Sequence, residues 1–251
     1  MKQAEEPALV TRGRKRLRQF QAEVLRITGR TAAGRLLDFG CGAGGFLLAA
    51  LDHGLNAHGV EVEPDRQAQY LASAPAHRHD RLKLYDGGLL PFPSRSFDLV
   101  YSWFVFEHVQ QPMLSLREIA RVTRPGGTIH IHADDARQHW DGHVAIPLPA
   151  FMPRAYTRAY LEVFGLEGRT SFINDTVVYV TAPVITSVLA ALGCEILYVN
   201  QIDSARAIPG AVDIASEADA RRVALEVKAL RERSGIAPPS ENLHVVARRV
   251  L

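Results

Sequence analysis

The segment GCGAGG, residues 40–45, is the first part of the sequence whose residue types could do chemistry. It lies between an apolar run at 35–39 and the helical pattern FLLAALDHG. Because glycine has no Cβ, these positions allow positive φ angles and let the backbone approach a ligand closely. A helix that begins after such a loop adds free N–H groups and a partial positive charge. The segment therefore predicts a cofactor site at the start of that helix.

Two classes of cofactor use a loop of this kind, and the loop alone does not separate them. Gly40, Gly42 and Gly45 follow the G-x-G-x-x-G spacing of dinucleotide folds. Gly40, Gly42 and Gly44 follow the G-x-G-x-G spacing of an S-adenosylmethionine site. An NAD-dependent oxidoreductase and a protein that uses S-adenosylmethionine are both open at this point.

Two acidic residues stand at the ends of the next two predicted strands. Glu61 lies 21 residues beyond Gly40, where a carboxylate can accept hydrogen bonds from ribose hydroxyls in either cofactor class. The alternative for Glu61 is an acid that faces solvent. Asp86 follows the third strand, and its carboxylate could accept from an exocyclic amino group such as that of adenine.

Several further motifs occur in order and carry a resemblance to a known family. They run from LLDFGCGAGGF through DGGLLPFPSRSFDLVYSWFVFEHV to LREIARVTRPGGTIHI. Over residues 34–135 the sequence resembles the class I S-adenosylmethionine-dependent methyltransferases, with a motif set like that of their small-molecule, type 11 members. The extra glycine pair at 44–45 is atypical and keeps the oxidoreductase alternative open, although the later motifs have no dinucleotide counterpart.

The resemblance implies a fold, a cofactor and a set of binding residues. The implied fold is α/β and Rossmann-like, a seven-stranded mostly parallel sheet with helices on both faces and an antiparallel last strand. The implied cofactor is S-adenosyl-L-methionine, with Asp38 and the glycine loop near its methionine end, Glu61 on ribose and Asp86 near adenine. The predicted cofactor-binding residues are Asp38, Gly40, Gly42, Gly44, Glu61, Val62, Asp86, Gly87 and Ser102.

Methyl transfer would be an in-line displacement, in which a protein mainly aligns the nucleophile and excludes water. A hydroxyl nucleophile also benefits from a base, most often histidine. His130 and His132 share one face of the fifth strand, and His132 is closer to the carboxyl edge, with Asp134 after it. His108 follows the fourth strand, where a packing role beneath the pocket is the alternative. We predict His108, His132 and Asp134 as catalytic residues and oxygen as the acceptor atom.

The excursion after the fifth strand, residues 134–176, is where the resembling family builds its acceptor pocket. His139 and His143 have the i, i+4 spacing of a metal pair on a helix, but Gly142 and Pro147 weaken that helix and no third ligand is evident. We therefore predict no metal there. The predicted substrate residues are His139, His143, Arg154 and Tyr156.

An apolar stripe recurs every fourth residue in the same excursion. It consists of Met152, Tyr156, Tyr160 and Phe164, and we predict a helix that Pro153 opens and Gly165 closes. The pattern is typical of a helix face that packs on a core, and a lid over the substrate or a subunit interface is the alternative. Arg154 and Arg158 could steer an anionic acceptor, although exposed arginines are common.

Apolar runs alternate with helical patterns from residue 35 onward, which favours a mostly parallel sheet. Beyond the excursion we predict a strand at 177–180, a helix over about 182–192 and another strand at 195–199. We predict a single methyltransferase domain over 1–251. Its predicted parts are a basic N-terminal helix at 8–28, a cofactor-binding core at 34–135, an acceptor-side insertion or lid at 134–176 and the C-terminal part of the sheet at 177–251.

The composition is that of an ordinary globular protein. The chain has 251 residues, 47% of them hydrophobic, and a net charge of +2, so bulk charge implies no partner. Two cysteines favour a reducing compartment, and the N-terminus carries charges where a signal peptide needs an apolar core, so we expect a cytoplasmic protein. The uncharged run at 176–194 is interrupted by polar residues, proline and glycine, so no transmembrane segment is expected.

Two other functions besides methylation of a small molecule are open from the sequence. Nucleic acid could bind the basic helix, but the Asn/Asp-Pro-Pro-aromatic motif of base N-methylating relatives is replaced by SWFV at 102–105, and neither Cys41 nor Cys194 is placed for attack on cytosine. A non-catalytic S-adenosylmethionine-binding regulator would keep the same binding residues. The sequence favours an enzyme that methylates a small-molecule acceptor, and it does not predict the oligomeric state.

Overall fold

The computed structural model describes residues 8–200, 214–235, 239 and 242–250. The strands are β1 (Arg35–Phe39), β2 (Asn56–Glu61), β3 (Leu82–Leu84), β4 (Phe97–Trp103), β5 (Thr123–Ala133), β6 (Trp140–Asp141), β7 (Ile146–Pro147), β8 (Cys194–Val199) and β9 (Leu243–Arg249). The helices are α1 (Ala8–Thr28), α2 (Gly45–Asp52), α3 (Pro64–Ser73), α4 (Pro112–Val122), α5 (Thr157–Glu162), α6 (Thr170–Thr176), α7 (Ala182–Ala191) and α8 (Glu217–Ser234).

Seven of these strands form one sheet in the order β3-β2-β1-β4-β5-β9-β8. The strands β1 to β5 are parallel, and β9 lies antiparallel between β5 and β8. The predicted fold class is therefore confirmed, including the antiparallel last strand. The strands that follow β1 in the chain, β2 and β3, lie on one side of it, and β4 and β5 lie on the other side. The carboxyl ends of β1 and β4 therefore open a crevice of the kind that binds ligands in α/β sheets.

Helices cover both faces of this sheet. On one face, α4 and α7 bury Leu116, Ile119 and Leu189 against β5. On the other face, α1 and α2 bury Phe20 and Phe46 against β1 and β4. Successive residues of a strand point to opposite faces, so β5 sends its odd-numbered residues toward the first helix pair and its even-numbered residues toward α1.

The excursion after β5 has a hydrophobic core of its own. The β6–β7 hairpin, α5 and α6 pack there with α8. Met152 and Tyr160 of the predicted stripe are buried, and Tyr156 and Phe164 are partly buried beside them. The helix is shorter than the stripe suggests, because a 3₁₀ turn precedes α5 and Gly165 ends the following turn at a φ of 68°. The stripe is thus a buried face.

The predicted strand at 177–180 is wrong. These residues lie outside the sheet, where β5 already has β4 and β9 as its two neighbours. Val178 N–H instead donates to the Glu107 carbonyl at 2.6 Å, and the Val180 carbonyl accepts from Ala136 N–H at 2.9 Å. The segment therefore covers the loops at the carboxyl edge of β4 and β5. The predicted α7 and β8 are confirmed within a residue or two.

None of the helices in the described part of the chain combines the length and the apolar composition needed to cross a bilayer. The uncharged run at 176–194 is instead divided among the end of α6, the extended segment, α7 and the start of β8.

A close crossing of α1 over the start of α2 gives a prediction about stability. A Cβ built on Gly13 would lie 1.9 Å from the Gly45 carbonyl oxygen, a backbone atom that cannot move aside. We expect Gly13→Ala to destabilise the fold by about 1–3 kcal/mol, because α1 must shift away from α2. The measurement is the free energy of unfolding in urea, with Lys15→Ala on the exposed side of α1 as the control. Equal stability of Gly13→Ala and the wild type would contradict this packing.

Candidate active site

A cavity of about 440 Å³ opens at the carboxyl ends of the central strands. Its volume falls in the range of small-molecule sites. The walls come from the loop after β1, the end of β2, residues 85–87 after β3 and the loop after β4. The motifs that sequence analysis singled out separately are thus brought to one place, because the carboxyl ends of parallel strands share an edge.

The glycine loop forms the floor of the cavity. Gly40, Gly42 and Gly44 have φ angles of 73°, 54° and 77°, which side chains adopt only with strain. A Cβ on Gly42 would meet nothing within 4 Å among the described residues, so its backbone faces open space. Gly44 does not line the cavity, because a Cβ there would lie 2.3 Å from the Tyr70 ring. Gly44 is therefore needed for packing at the start of α2.

Glu61 connects the end of β2 to the glycine loop. Its Oε2 accepts from Gly42 N–H at 2.7 Å, and its Oε1 accepts from Val62 N–H at 2.7 Å and Glu63 N–H at 3.1 Å. A carboxylate has about four acceptor positions, so Oε2 keeps one for a ligand hydroxyl. These three hydrogen bonds hold the Glu61 carboxylate in place at the cavity wall.

Asp38 lies at the end of β1, buried beneath the loop. Its side chain is 3% exposed, and its Oδ2 has no hydrogen-bond partner among the described residues. Burial raises the pKa of Asp38 to about 7, with Arg16 opposing this effect and Glu61 adding to it. A buried carboxylate oxygen without a partner fits a ligand that brings an ammonium group, and such a cation would favour the ionised form.

The remaining predicted cofactor residues are divided between the cavity and the sheet. Val62, Asp86 and Gly87 line the cavity. Asp86 Oδ1 accepts from Gly88 N–H at 2.9 Å. Ser102 does not line it, because the side chain is fully buried in β4, where its hydroxyl has no partner among the residues described.

His108 lines the cavity and begins a chain of titratable side chains. Its Nε2 lies 3.1 Å from His143 Nε2, and its Nδ1 lies 3.3 Å from the Thr176 carbonyl oxygen. His143 Nδ1 in turn lies 3.3 Å from Asp141 Oδ1. Burial lowers the pKa of His108, whereas the Asp141 carboxylate raises the pKa of His143. A proton that reaches this pair is therefore more stable on His143.

Asp141 was missed by sequence reasoning, which singled out His143 without its partner. The Asp141 side chain also accepts from the N–H groups of His143 and Val144, at 2.8 and 3.1 Å. This local turn is a common use of aspartate, and the spacing Asp-Gly-His was the available signal. The turn fixes Asp141 beside His143.

A small pocket of about 30 Å³ lies next to this chain. Asp134, which was predicted as catalytic, and His139, which was predicted to bind substrate, line this pocket and not the larger cavity. Burial raises the pKa of Asp134, and burial raises the pKa of Glu107 to about 8. His139 Nδ1 accepts from Ala150 N–H at 3.1 Å. His139 follows a 3₁₀ turn with a φ of 48°, and His143 lies in the hairpin loop, so no helix pairs them.

His132 is not placed at the cavity, contrary to the prediction that it acts on the acceptor. It is an even-numbered residue of β5 and faces α1, where its Nε2 lies 3.0 Å from Glu23 Oε2. Its ring stacks on that of His244 at 3.9 Å. The strand alternation was predicted correctly, but the face that α1 covers was not visible in the sequence.

Arg154 and Tyr156 are likewise held by the excursion and do not line the cavity. The Arg154 guanidinium donates to the carbonyls of Ile173 and Val177 and lies 4.6 Å from the Tyr179 ring centre. The Tyr156 hydroxyl donates to the Ala215 carbonyl at 2.7 Å. Both side chains thus connect parts of the excursion core.

The sheet order, the glycine loop and the two strand-end acids are similar to those of class I S-adenosylmethionine-dependent methyltransferase domains. Residues 37–131 match the family described as a methyltransferase domain. That segment contains most of β1 through most of β5 and every residue that lines the cavity.

Curated relatives and solved structures agree with this class. An uncharacterised methyltransferase of Mycolicibacterium vanbaalenii is 43% identical over 104 residues, which are 40% of this chain and 39% of the relative. The 2-methyl-6-phytyl-1,4-hydroquinone methyltransferase of Synechocystis is 32% identical over 157 residues, 57% of this chain and 49% of the relative. The chain thus spans about half or less of the length of these relatives.

A crystal structure of an S-adenosylmethionine-dependent methyltransferase from Mesorhizobium loti has a similar fold. The TM-score is 0.57 at 22% sequence identity, and the match covers 90% of this chain and 96% of that one. At this identity the likeness concerns the fold, which extends over the excursion as well as the cofactor core.

Proposed function

We propose that this protein transfers a methyl group from S-adenosyl-L-methionine to an oxygen atom of a small-molecule acceptor. The observation that carries the proposal is the chain from the cavity through His108 and His143 to Asp141. A base is of most use when the nucleophile is a hydroxyl, which must lose its proton. The hydroquinone named for the Synechocystis relative supports a small-molecule acceptor.

Three acidic side chains would each contact a different part of the cofactor. Glu61 Oε2 would accept from a ribose hydroxyl, Asp86 would accept from the adenine amino group, and Asp38 would receive the methionine ammonium group. Bound S-adenosylmethionine supplies a methyl group on a sulfonium, which is already a good leaving group. The protein therefore needs mainly to align the acceptor and exclude water, and alignment of this kind is worth roughly 7–11 kcal/mol.

The two histidines would move the acceptor proton away from the cavity. His108 Nδ1 faces the Thr176 carbonyl and His143 Nδ1 faces the Asp141 carboxylate, so each ring would donate its Nδ1–H there and keep a lone pair on Nε2. The hydroxyl proton would pass to His108 Nε2 as the bond from oxygen to the methyl group forms, and then to His143 Nε2, 3.1 Å away. Asp141 would stabilise the resulting imidazolium. The lowered pKa of His108 and the raised pKa of His143 favour this direction.

Binding of the cofactor product gives the first test. S-adenosylhomocysteine at one hundred times its dissociation constant should stabilise the fold by about 2.7 kcal/mol, because it binds only the folded state. The measurement is thermal or urea unfolding with and without the ligand. NADH at the same concentration should leave the transition unchanged, and stabilisation by NADH alone would overturn the cofactor assignment.

The acceptor is tested with methyl-labelled cofactor and a panel of hydroxyl, amine and nucleic-acid acceptors. Label found in an O-methyl product supports the proposal. Label found only in N-methyl, C-methyl or nucleic-acid products contradicts it. Stabilisation by S-adenosylhomocysteine without turnover of any acceptor would indicate a regulator that binds the cofactor and has no transferase activity.

A further inference from the structure

A second cluster of titratable side chains lies away from the cavity, where α1 meets the sheet. It contains Glu23 from α1, His132 from β5 and His244 from β9. Glu23 Oε2 lies 3.0 Å from His132 Nε2 and 3.8 Å from His244 Nε2. One ligand atom of each side chain lies within 4.8 Å of the other two. Three elements distant in sequence thus bring two imidazoles and a carboxylate close together.

The cluster is largely shielded from solvent. The side chains are only 14%, 8% and 9% exposed for Glu23, His132 and His244. Because metal ions bind deprotonated ligands, an ion would take the place of the proton that His132 and Glu23 share.

One polar atom in the cluster makes no hydrogen bond to the described residues. The Nε2 of His244 is buried and has no hydrogen-bond partner in the described part of the chain, since Glu23 Oε2 is beyond hydrogen-bonding distance. A buried polar atom without a partner is unfavourable, and a bound ion is one arrangement that would satisfy it. The His132–Glu23 hydrogen bond explains two members of the cluster but leaves His244 unexplained.

We propose that Glu23, His132 and His244 bind one divalent transition-metal ion, with Zn²⁺ the best match, and that water completes its coordination. Two nitrogen ligands and one carboxylate are a set that Zn²⁺ accepts, whereas Ca²⁺ and Mg²⁺ prefer oxygen ligands alone. Tetrahedral ligands about 2.0–2.1 Å from zinc are separated by roughly 3.3 Å, close to the 3.0 and 3.8 Å between Oε2 and the two nitrogens.

Binding the ion requires a small rearrangement of the two rings. They are stacked with an interplanar angle of 17°, so each must rotate about its Cβ–Cγ bond to direct its Nε2 at the ion. The ion would join α1 to β5 and β9. None of its ligands lines the cavity, so its role is to fix α1 on the sheet and not to take part in methyl transfer.

The test is metal binding by the full chain after dialysis against a chelator. We expect one Zn²⁺ or Co²⁺ per chain by calorimetry, with Co²⁺ giving the visible absorption of a nitrogen- and oxygen-ligated ion. Glu23→Gln and His244→Gln should each weaken binding by at least about 10-fold, since even residues outside the ligand set change affinity by that much. Zn²⁺ should also raise the melting temperature of the wild type.

Two control variants test whether metal binding depends on this cluster and not on other histidines. His53→Gln changes an exposed histidine and should bind metal like the wild type. His139→Gln tests the small pocket instead. Absence of stoichiometric binding, or equal binding by the wild type and a folded Glu23→Gln variant, would overturn the proposal, as would loss of binding in His139→Gln alone. Circular dichroism without metal establishes that each variant is folded, and Glu23→Gln serves even if a histidine variant is not.

Discussion

Replacement of Glu61 by glutamine is expected to weaken S-adenosylhomocysteine binding by about 100-fold, or about 2.7 kcal/mol. The carboxylate is proposed to hold the ribose, and it already accepts from Gly42 N–H at 2.7 Å. Glutamine has nearly the same shape but presents an amide NH₂ group to one of these donors. The variant therefore loses both a charge-assisted hydrogen bond to the ligand and the fixed position of the glycine loop. Calorimetric titration with S-adenosylhomocysteine measures the change.

Asp65→Asn is the matched control for Glu61→Gln. It also converts an acid to its amide, four residues further along, but at an exposed position in the first turn of α3 that does not line the cavity. Its affinity for S-adenosylhomocysteine should stay at the wild-type value. If Glu61→Gln binds as tightly as this control, the ribose is held by other groups.

His108→Ala is expected to reduce the rate of methyl transfer by about 10²–10⁴-fold, the usual contribution of a positioned base. The substrate for this measurement is the hydroxyl acceptor identified with labelled cofactor. The affinity for S-adenosylhomocysteine should change little, because His108 is not among the residues proposed to hold the cofactor. His77→Ala, at an exposed position, is the control and should retain full activity. Full activity in His108→Ala would assign His108 a packing role.

The pH dependence separates a proton relay from a packing role. His143 can receive a proton only in its neutral form, and Asp141 raises its pKa above the ordinary value of 6.5. The rate should therefore rise with pH through a midpoint above 6.5. In Asp141→Asn the carboxylate that raises this pKa is absent, so the midpoint should move to lower pH while the maximal rate falls. A pH profile identical in Asp141→Asn and the wild type would exclude the relay.

The sequence could predict where the cavity opens because the residues that line it stand next to predictable elements. A strand, a glycine loop and a helix follow one another within about twenty residues at 35–52, and Glu61 and Asp86 each come directly after a short apolar strand. Parallel strands joined by helices bring their carboxyl ends together, so spacing along the chain translates into proximity in space. Ser102 and Gly44 were predicted to bind the cofactor but do not line the cavity. Ser102 is buried within the sheet, and Gly44 packs against Tyr70.

The side chains that we propose act on the acceptor could not be placed in the same way. His108 and His143 are 35 residues apart, and their 3.1 Å contact depends on how the excursion folds back over the carboxyl edge. Arg154 and Tyr156 lie away from the cavity because their hydrogen-bond partners stand 19 to 59 residues further along the chain. Irregular segments have no fixed period from which the direction of a side chain can be derived.

By itself, the sequence determined the sheet with helices on both faces, the place of the cavity that we propose binds the cofactor, and the acids beside it. These features depend on local spacing and on the period of strands and helices. Only the tertiary structure decided that His132 faces Glu23 and His244 and that His108 continues through His143 to Asp141. Each of these contacts joins elements that are far apart in the chain. Which of them meet depends on the packing of α1 and of the excursion, and long-range packing of this kind leaves no periodic signal in a single sequence.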